Sequence, residues 1–155
     1  WGDQQYHYTA PVPGVLALHE ALRLVAEETL ERRFRRHEMS SLALQAGLEA
    51  MGLSLYAPRD VRLNSVIAIE LPEGADGGRV REHMTRFFRV EISGAFGLNI
   101  LRIGQMGEQC RSHNLFKTLY ALGMSFARED VKLDIAAGMA ALEQGLAGDN
   151  DNFVD

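Results

Sequence analysis

The segment from Ser65 to Leu71 constrains the fold of this chain more than any other. It is aliphatic and β-branched and is bounded by Asn64 and Pro72, a pattern typical of a well-buried β-strand. A strand is stable only when it pairs with others, so the chain must build a sheet. The apolar residues on both sides of this segment recur mostly at helical spacing, and the predicted sheet is therefore small.

Helices are predicted at both ends of the chain. Apolar residues keep helical spacing from Val15 to Leu30, after two prolines that mark a helix entry, and a second helix is expected to end at Met51 before a capping glycine, Gly52. The other predicted elements are a short strand at 53–56, a helix at 79–88, strands at 90–92 and 100–103 joined by a loop at 93–99, and helices at 115–126 and 132–146. This order predicts an α+β fold: a small, mostly antiparallel sheet covered on one face by helices, with a long N-terminal helical segment.

Composition limits the function. With 155 residues the chain has room for one domain, which we place at 11–147, preceded by a loop at 1–10 and followed by an acidic tail at 148–155 that is expected to be disordered. The net charge of −5 argues against nucleic-acid binding. No apolar run is long enough for a membrane span, and the amino terminus does not resemble a signal peptide. The one cysteine, Cys110, favours a reducing, cytoplasmic setting and is expected to be an inert thiol. We predict no metal site.

A basic run extends from Arg32 to His37. Glu28 and Glu31 each precede an arginine of this run by four residues, the spacing that supports an exposed helix. We therefore expect a solvated helix face, with an interaction surface at Arg32–Arg36 as the weaker alternative.

Two segments carry side chains suited to binding anions. Tyr6 and Thr9 place two hydroxyl donors just ahead of a helix, where a phosphate is favoured by the helix amino terminus, although from the residues alone aromatic packing against the domain explains the segment better. Arg102 lies between Leu101 and Ile103 on a short strand, so its guanidinium points to the other face and can hold a carboxylate through two parallel hydrogen bonds. The alternative for Arg102 is an ion pair with a helix acid.

These segments also carry a family resemblance. Tyr6–Val12, shortly after Trp1-Gly2, and Arg102–Gly107, with its Arg-Ile-Gly and Met-Gly, are similar to motifs of class V, fold-type I aminotransferases of the alanine/serine–glyoxylate type. Leu48–Leu53 extends the resemblance, which covers nearly the whole chain. Tyr8 departs from the pattern, which has histidine there. The resemblance implies the carboxy-terminal small domain of such an enzyme.

The resemblance also implies roles and partners. Arg102 would bind the substrate α-carboxylate, while Tyr6 and Thr9 would reach the phosphate of pyridoxal 5'-phosphate in the other subunit of a homodimer. The substrates would be a small amino acid and a 2-oxo acid: alanine, serine, ureidoglycine or pyridoxamine as donor, and glyoxylate or pyruvate as acceptor. No catalytic residue is expected in the chain itself, because the Schiff-base lysine lies upstream in the family and neither Lys117 nor Lys132 is placed to replace it.

Two interpretations therefore stand. In the first, the chain is the carboxy-terminal part of a pyridoxal-phosphate aminotransferase and is inactive alone. In the second, it is a stand-alone α+β module that binds small carboxylates or regulates through Arg102.

Overall fold

The computed structural model describes residues 9–147 of the chain. The predicted disordered tail and the first eight residues of the predicted loop lie outside the described residues. Five helices and three strands are present in the described part: α1 (Val12–Glu28), α2 (Leu30–Met51), β1 (Val66–Glu70), α3 (Gly77–His83), β2 (Ser93–Ala95), β3 (Leu98–Gly104), α4 (Ser112–Ala127) and α5 (Ile135–Leu146). No helix within residues 9–147 is both long and apolar enough to cross a membrane.

The chain divides into two compact units, 1–34 and 35–155, with the boundary inside α2. In the first unit, α1 forms where the apolar periodicity predicts it, but none of its residues is buried. Thr29 separates α1 from α2 with a φ of 67°, a conformation that interrupts helical geometry. Because of this break, Glu28 forms an ion pair with Arg33, at 2.8 Å, and not with Arg32, which follows it by four residues.

The sheet of the second unit is antiparallel, with strand order β1-β3-β2. Strand β1 occupies the segment predicted to be a buried strand, and Ile67 and Ile69 point into the core. The strand predicted at 53–56 is reduced to a single bridge between Leu55 and Ile69. Pro58 follows closely and has no N–H to extend the pairing.

The predicted hairpin exists, but its first strand lies later in the chain than expected. The strand predicted at 90–92 is wrong, since β2 is Ser93–Ala95 and the connection is the two-residue turn Phe96-Gly97. Gly97 has a φ of 72°, which a tight hairpin turn requires. The pairing also shifts register between Gly94 and Ala95, so alternation in the sequence could not reveal it.

The core of the second unit lies between one face of the sheet and the helices. It joins Ile67, Ile69, Leu101 and Ile103 of the sheet to buried residues of α2, α3, α4 and α5. Gly52 has a φ of 102° and ends α2 as predicted. The arrangement confirms the α+β fold with helices on one face of a small antiparallel sheet.

The basic run on α2 is only partly solvated. Arg35 is exposed as predicted, but Arg36 is 2% exposed, and its Nη1 donates to the carbonyl oxygen of Gly107 at 2.8 Å and to Sγ of Cys110 at 2.7 Å. The prediction of a wholly solvated face is therefore wrong at Arg36. Charge spacing along a helix does not show that a distant loop will cover one of its arginines.

Candidate functional site

Arg102 projects from the face of the sheet that is opposite the core. Its neighbours in β3, Leu101 and Ile103, are 1% and 3% exposed, whereas Arg102 itself is exposed. This alternation follows from strand geometry, because successive side chains point to opposite faces. The structure thus gives Arg102 the orientation that its sequence position predicts.

The Arg102 guanidinium is anchored at one end. Its Nε donates a 2.9 Å hydrogen bond to the carbonyl oxygen of Gly94 on β2. Within residues 9–147, the Arg102 side chain forms no ion pair and no other hydrogen bond, so the alternative of an arginine paired with a helix acid is not what the structure shows. The two terminal nitrogens, Nη1 and Nη2, remain available to a ligand. A fork of this kind matches the two oxygens of a carboxylate.

Small side chains surround Arg102 on the same face. The strand register places Ala68 of β1 and Ser93 of β2 directly opposite it, one on each side. Gly104, two residues further along β3, shares the face. None of these three side chains is long enough to cover the guanidinium. The larger Ile100, two residues before Arg102 on the same face, is 7% exposed, so this face is open at Arg102 and covered further back along β3.

The turn after Arg102 is held from α2. Gly107 has a φ of 62°, and its N–H donates to Nε2 of His37 at 3.0 Å. Its carbonyl oxygen accepts from Arg36 and from Sγ of Cys110, at 2.8 and 3.0 Å. Gly107, the glycine of the Met-Gly that follows the arginine motif, is therefore held in place just after β3, and Cys110 is a buried structural thiol of that turn.

Helix α3 supports the hairpin from the buried side. Asp76 caps the helix by accepting from the backbone N–H groups of Gly78 and Arg79, at 2.8 and 3.2 Å. These bonds, that to Arg79 first, lower the pKa of the Asp76 carboxyl below its ordinary value. From α3, the Arg81 guanidinium carbon lies 3.9 Å from the point that a Cβ on Gly94 would occupy.

The hydroxyl donors predicted near the amino terminus are only partly described. Thr9 is exposed, precedes α1 and forms no hydrogen bond within residues 9–147. Tyr6 lies outside the described residues. Thr9 belongs to the first compact unit and Arg102 to the second.

Neither lysine lies on the face that carries Arg102. Lys117 is exposed on α4, a helix that packs against the opposite, buried face of the sheet. Lys132 is exposed in the segment before α5, whose cap is Asp134 and not the lysine. The described residues therefore fit a carboxylate at Arg102 but supply no lysine amine beside it.

Apart from the Arg102 face, a cavity borders β1. It is an apolar cavity of about 200 Å³. Its polar lining residues are already paired, since Arg62 donates to Gln45 at 3.0 Å and to the carbonyl oxygen of Ala57 at 2.9 Å. The cavity offers no open polar group for a charged ligand. Among residues 9–147 no group of three or more histidine, cysteine or acidic side chains is placed to hold a metal ion.

Two features of the site escaped sequence reasoning. The Gly94 carbonyl anchors Arg102, and Ser93 lies directly opposite Arg102 in the sheet, whereas the sequence predicts a loop at both residues. The dipeptide Phe96-Gly97 was the available signal, because a two-residue hairpin turn there pairs the residues on either side.

The chain has relatives among known enzymes. No protein-family model matches the chain. It is 36% identical over 145 residues to (S)-ureidoglycine–glyoxylate transaminase of Bacillus subtilis, covering 91% of this chain and 35% of that one. It is 32% identical over 127 residues to alanine–glyoxylate aminotransferase of Felis catus, covering 79% and 31%.

The fold matches as well. The structure of pyridoxamine–pyruvate aminotransferase from Mesorhizobium loti superimposes with a TM-score of 0.86 at 29% identity, over 95% of this chain and 38% of that one. The chain spans about a third of the length of the curated relatives it matches. Its relatives and structural neighbours are thus class V aminotransferases, and the chain corresponds to their carboxy-terminal domain.

Proposed function

We propose that residues 1–155 are the carboxy-terminal part of a pyridoxal-phosphate-dependent aminotransferase that moves an amino group from a small amino acid to glyoxylate or pyruvate. The observation that carries the proposal is Arg102, exposed on the open face of the sheet, tethered through Nε and free of acidic partners within residues 9–147. An arginine in this state is ready to bind the carboxylate that both substrates share.

The cofactor would be held by residues from two sources. The Thr9 hydroxyl, exposed and without a partner in the described part of the chain, would donate to the cofactor phosphate in the neighbouring subunit of a homodimer, together with Tyr6. When bound, pyridoxal phosphate supplies the electron sink for amino transfer. The lysine amine that this chemistry needs would come from another part of a longer protein, since Lys117 and Lys132 lie away from the Arg102 face.

The donor and the compartment belong to the proposal too. The relatives act, by their names, on ureidoglycine, alanine or pyridoxamine, and serine is a further candidate for this chain. A reducing, cytoplasmic compartment agrees with a single cysteine that serves as a buried structural thiol.

The decisive experiment is a transaminase assay of the longer protein whose reading frame contains residues 1–155, with a panel of the donors and acceptors named above. We expect activity in the longer protein and none in the 155-residue chain. Arg102→Ala in the longer protein should raise KM for the 2-oxo acid by at least about tenfold, since a bidentate charged contact is lost. A reading frame that begins just before Trp1, or activity insensitive to Arg102→Ala, would favour the stand-alone carboxylate-binding module.

A further inference from the structure

We propose that Ser93 is a second substrate-binding residue, whose hydroxyl donates to the same carboxylate that Arg102 holds. This inference rests on the proposed function and adds a contact to it. It begins from the register of the hairpin, which places the Cα of Ser93 directly opposite that of Arg102. Side chains of directly opposite residues share a face, with Cβ atoms about 5 Å apart.

The anchoring bond brings the guanidinium toward β2, the strand that carries Ser93. Nε of Arg102 donates to the carbonyl oxygen of Gly94, the residue that follows Ser93. The guanidinium therefore leans across β2, toward the Gly94–Ala95 peptide that follows Ser93, and away from β1. With Nε occupied, a carboxylate must approach end-on through Nη1 and Nη2, above β2, the strand that carries Ser93.

Among the residues next to Arg102 on this face, Ser93 can add a hydrogen bond to the carboxylate. The residues next to Arg102 on this face are Ala68, Ser93, Ile100 and Gly104, and among these only Ser93 carries a hydrogen-bond donor in its side chain. Ser93 is exposed and its hydroxyl has no partner within residues 9–147. The hydroxyl is therefore available to a ligand.

The arrangement suits a compact, end-on carboxylate. The fork takes both carboxylate oxygens, and each oxygen retains a lone pair for one more donor. Ser93 would supply that donor on the β2 side, whereas Ala68 on the β1 side supplies none. The bound carboxylate is thus held asymmetrically. This asymmetry fixes the direction in which the rest of the bound substrate projects from the sheet.

The test measures pyruvate binding to the 155-residue chain and its variants. Binding is observed in NMR titrations through the arginine Nε–H signals. Ser93→Ala should weaken pyruvate binding by roughly three- to tenfold, the loss expected for one ordinary hydrogen bond at an exposed site. Ser93→Thr keeps the hydroxyl and suits a strand, so its affinity should stay within about twofold of the wild type. Pyruvamide, which lacks the carboxylate, is the matched control ligand.

The outcomes separate the two proposals. Unchanged affinity in Ser93→Ala, with binding abolished in Arg102→Ala, overturns the role of Ser93 and leaves Arg102 intact. Equal weakening in Ser93→Ala and Ser93→Thr also overturns it, because a retained hydroxyl should rescue binding. If the wild-type chain shows no pyruvate-dependent shift at Arg102, both the inference and the carboxylate role of Arg102 fail.

Discussion

Nε of Arg102 donates to the carbonyl oxygen of Gly94 at 2.9 Å, and this single bond fixes the direction of the guanidinium on the open face of the sheet. An exposed arginine without such a tether samples many rotamers, and ordering it costs up to about 2 kcal/mol of side-chain entropy. The tether removes part of that cost before a ligand arrives. Preorganisation of this kind favours binding without adding a contact.

Fork geometry, and not charge alone, should decide carboxylate binding. Arg102→Lys retains one positive charge on the same strand but cannot donate two parallel bonds or keep the Nε bond to Gly94. We expect pyruvate affinity of the 155-residue chain to fall by roughly tenfold, measured by calorimetry or NMR titration. Affinity in the lysine variant equal to that of the wild type would show that charge suffices.

The turn that ends β3 should depend on Arg36. Replacing Arg36 by methionine removes the donor to the partly buried Gly107 carbonyl and to the buried Cys110 sulfur, and each acceptor loses a charged partner. We expect a loss on the order of 2–4 kcal/mol in the free energy of unfolding, measured by urea denaturation. Arg35→Met is the matched control, since Arg35 is exposed, and it should change stability by less than about 0.5 kcal/mol. Equal effects of the two variants would contradict the structural role.

Helices α2 and α5 should tolerate no side chain at their closest approach. A Cβ on Gly138 would lie 2.8 Å from the carbonyl oxygen of Gly47 and 2.9 Å from Cβ of Met51. Gly138→Ala should therefore destabilise the second unit by about 1–3 kcal/mol in thermal or urea unfolding. Gly14→Ala introduces the same methyl group into α1, where the nearest atom is 3.9 Å away, and should be neutral or slightly stabilising.

His83 should make stability depend on pH. Burial first, and the nearby Arg128 charge second, lower the pKa of His83 below its ordinary value of 6.5. The hydroxyl of Ser125 donates to the Ala121 carbonyl at 2.7 Å, so Nδ1 of His83 donates to that hydroxyl at 2.8 Å.

Since the native pKa of His83 lies below the unfolded value, the unfolded chain takes up the proton first. Stability is then complete above about pH 6.5 and declines as the pH falls from there toward the native pKa. We expect the Tm to fall over this range in the wild type and to fall less in His83→Gln, which does not titrate. Parallel Tm profiles for the two proteins would exclude His83 as the source.

Local signals predicted much of this fold, and long-range contacts account for what they missed. The β-branched segment around Ile67 and the glycine cap at Gly52 report on their own backbone, and both predictions are confirmed. The burial of Arg36 depends on a turn some 70 residues away. The spacing of residues along α2 therefore could not predict it. The position of β2 depends on a register shift beside Gly94, where the alternation of side chains is interrupted.

The same difference between local and long-range signals holds for the candidate site. Alternation along one strand predicted that Arg102 would face away from the core, and the structure confirms it. Gly94 and Ser93 lie next to Arg102 because β2 pairs with β3, and the local sequence does not predict that pairing. The roles of Tyr6 and Thr9 rest on the family resemblance and stay predictions.

The most direct test of Arg102 as a substrate-carboxylate site is a titration of the isotope-labelled 155-residue chain, observing the Arg102 Nε–H resonance. Arg102→Ala identifies that resonance by its loss. We predict a saturable shift with pyruvate and none with pyruvamide, because only the carboxylate can engage both terminal nitrogens. A resonance that responds equally to both ligands, or to neither, would contradict the account.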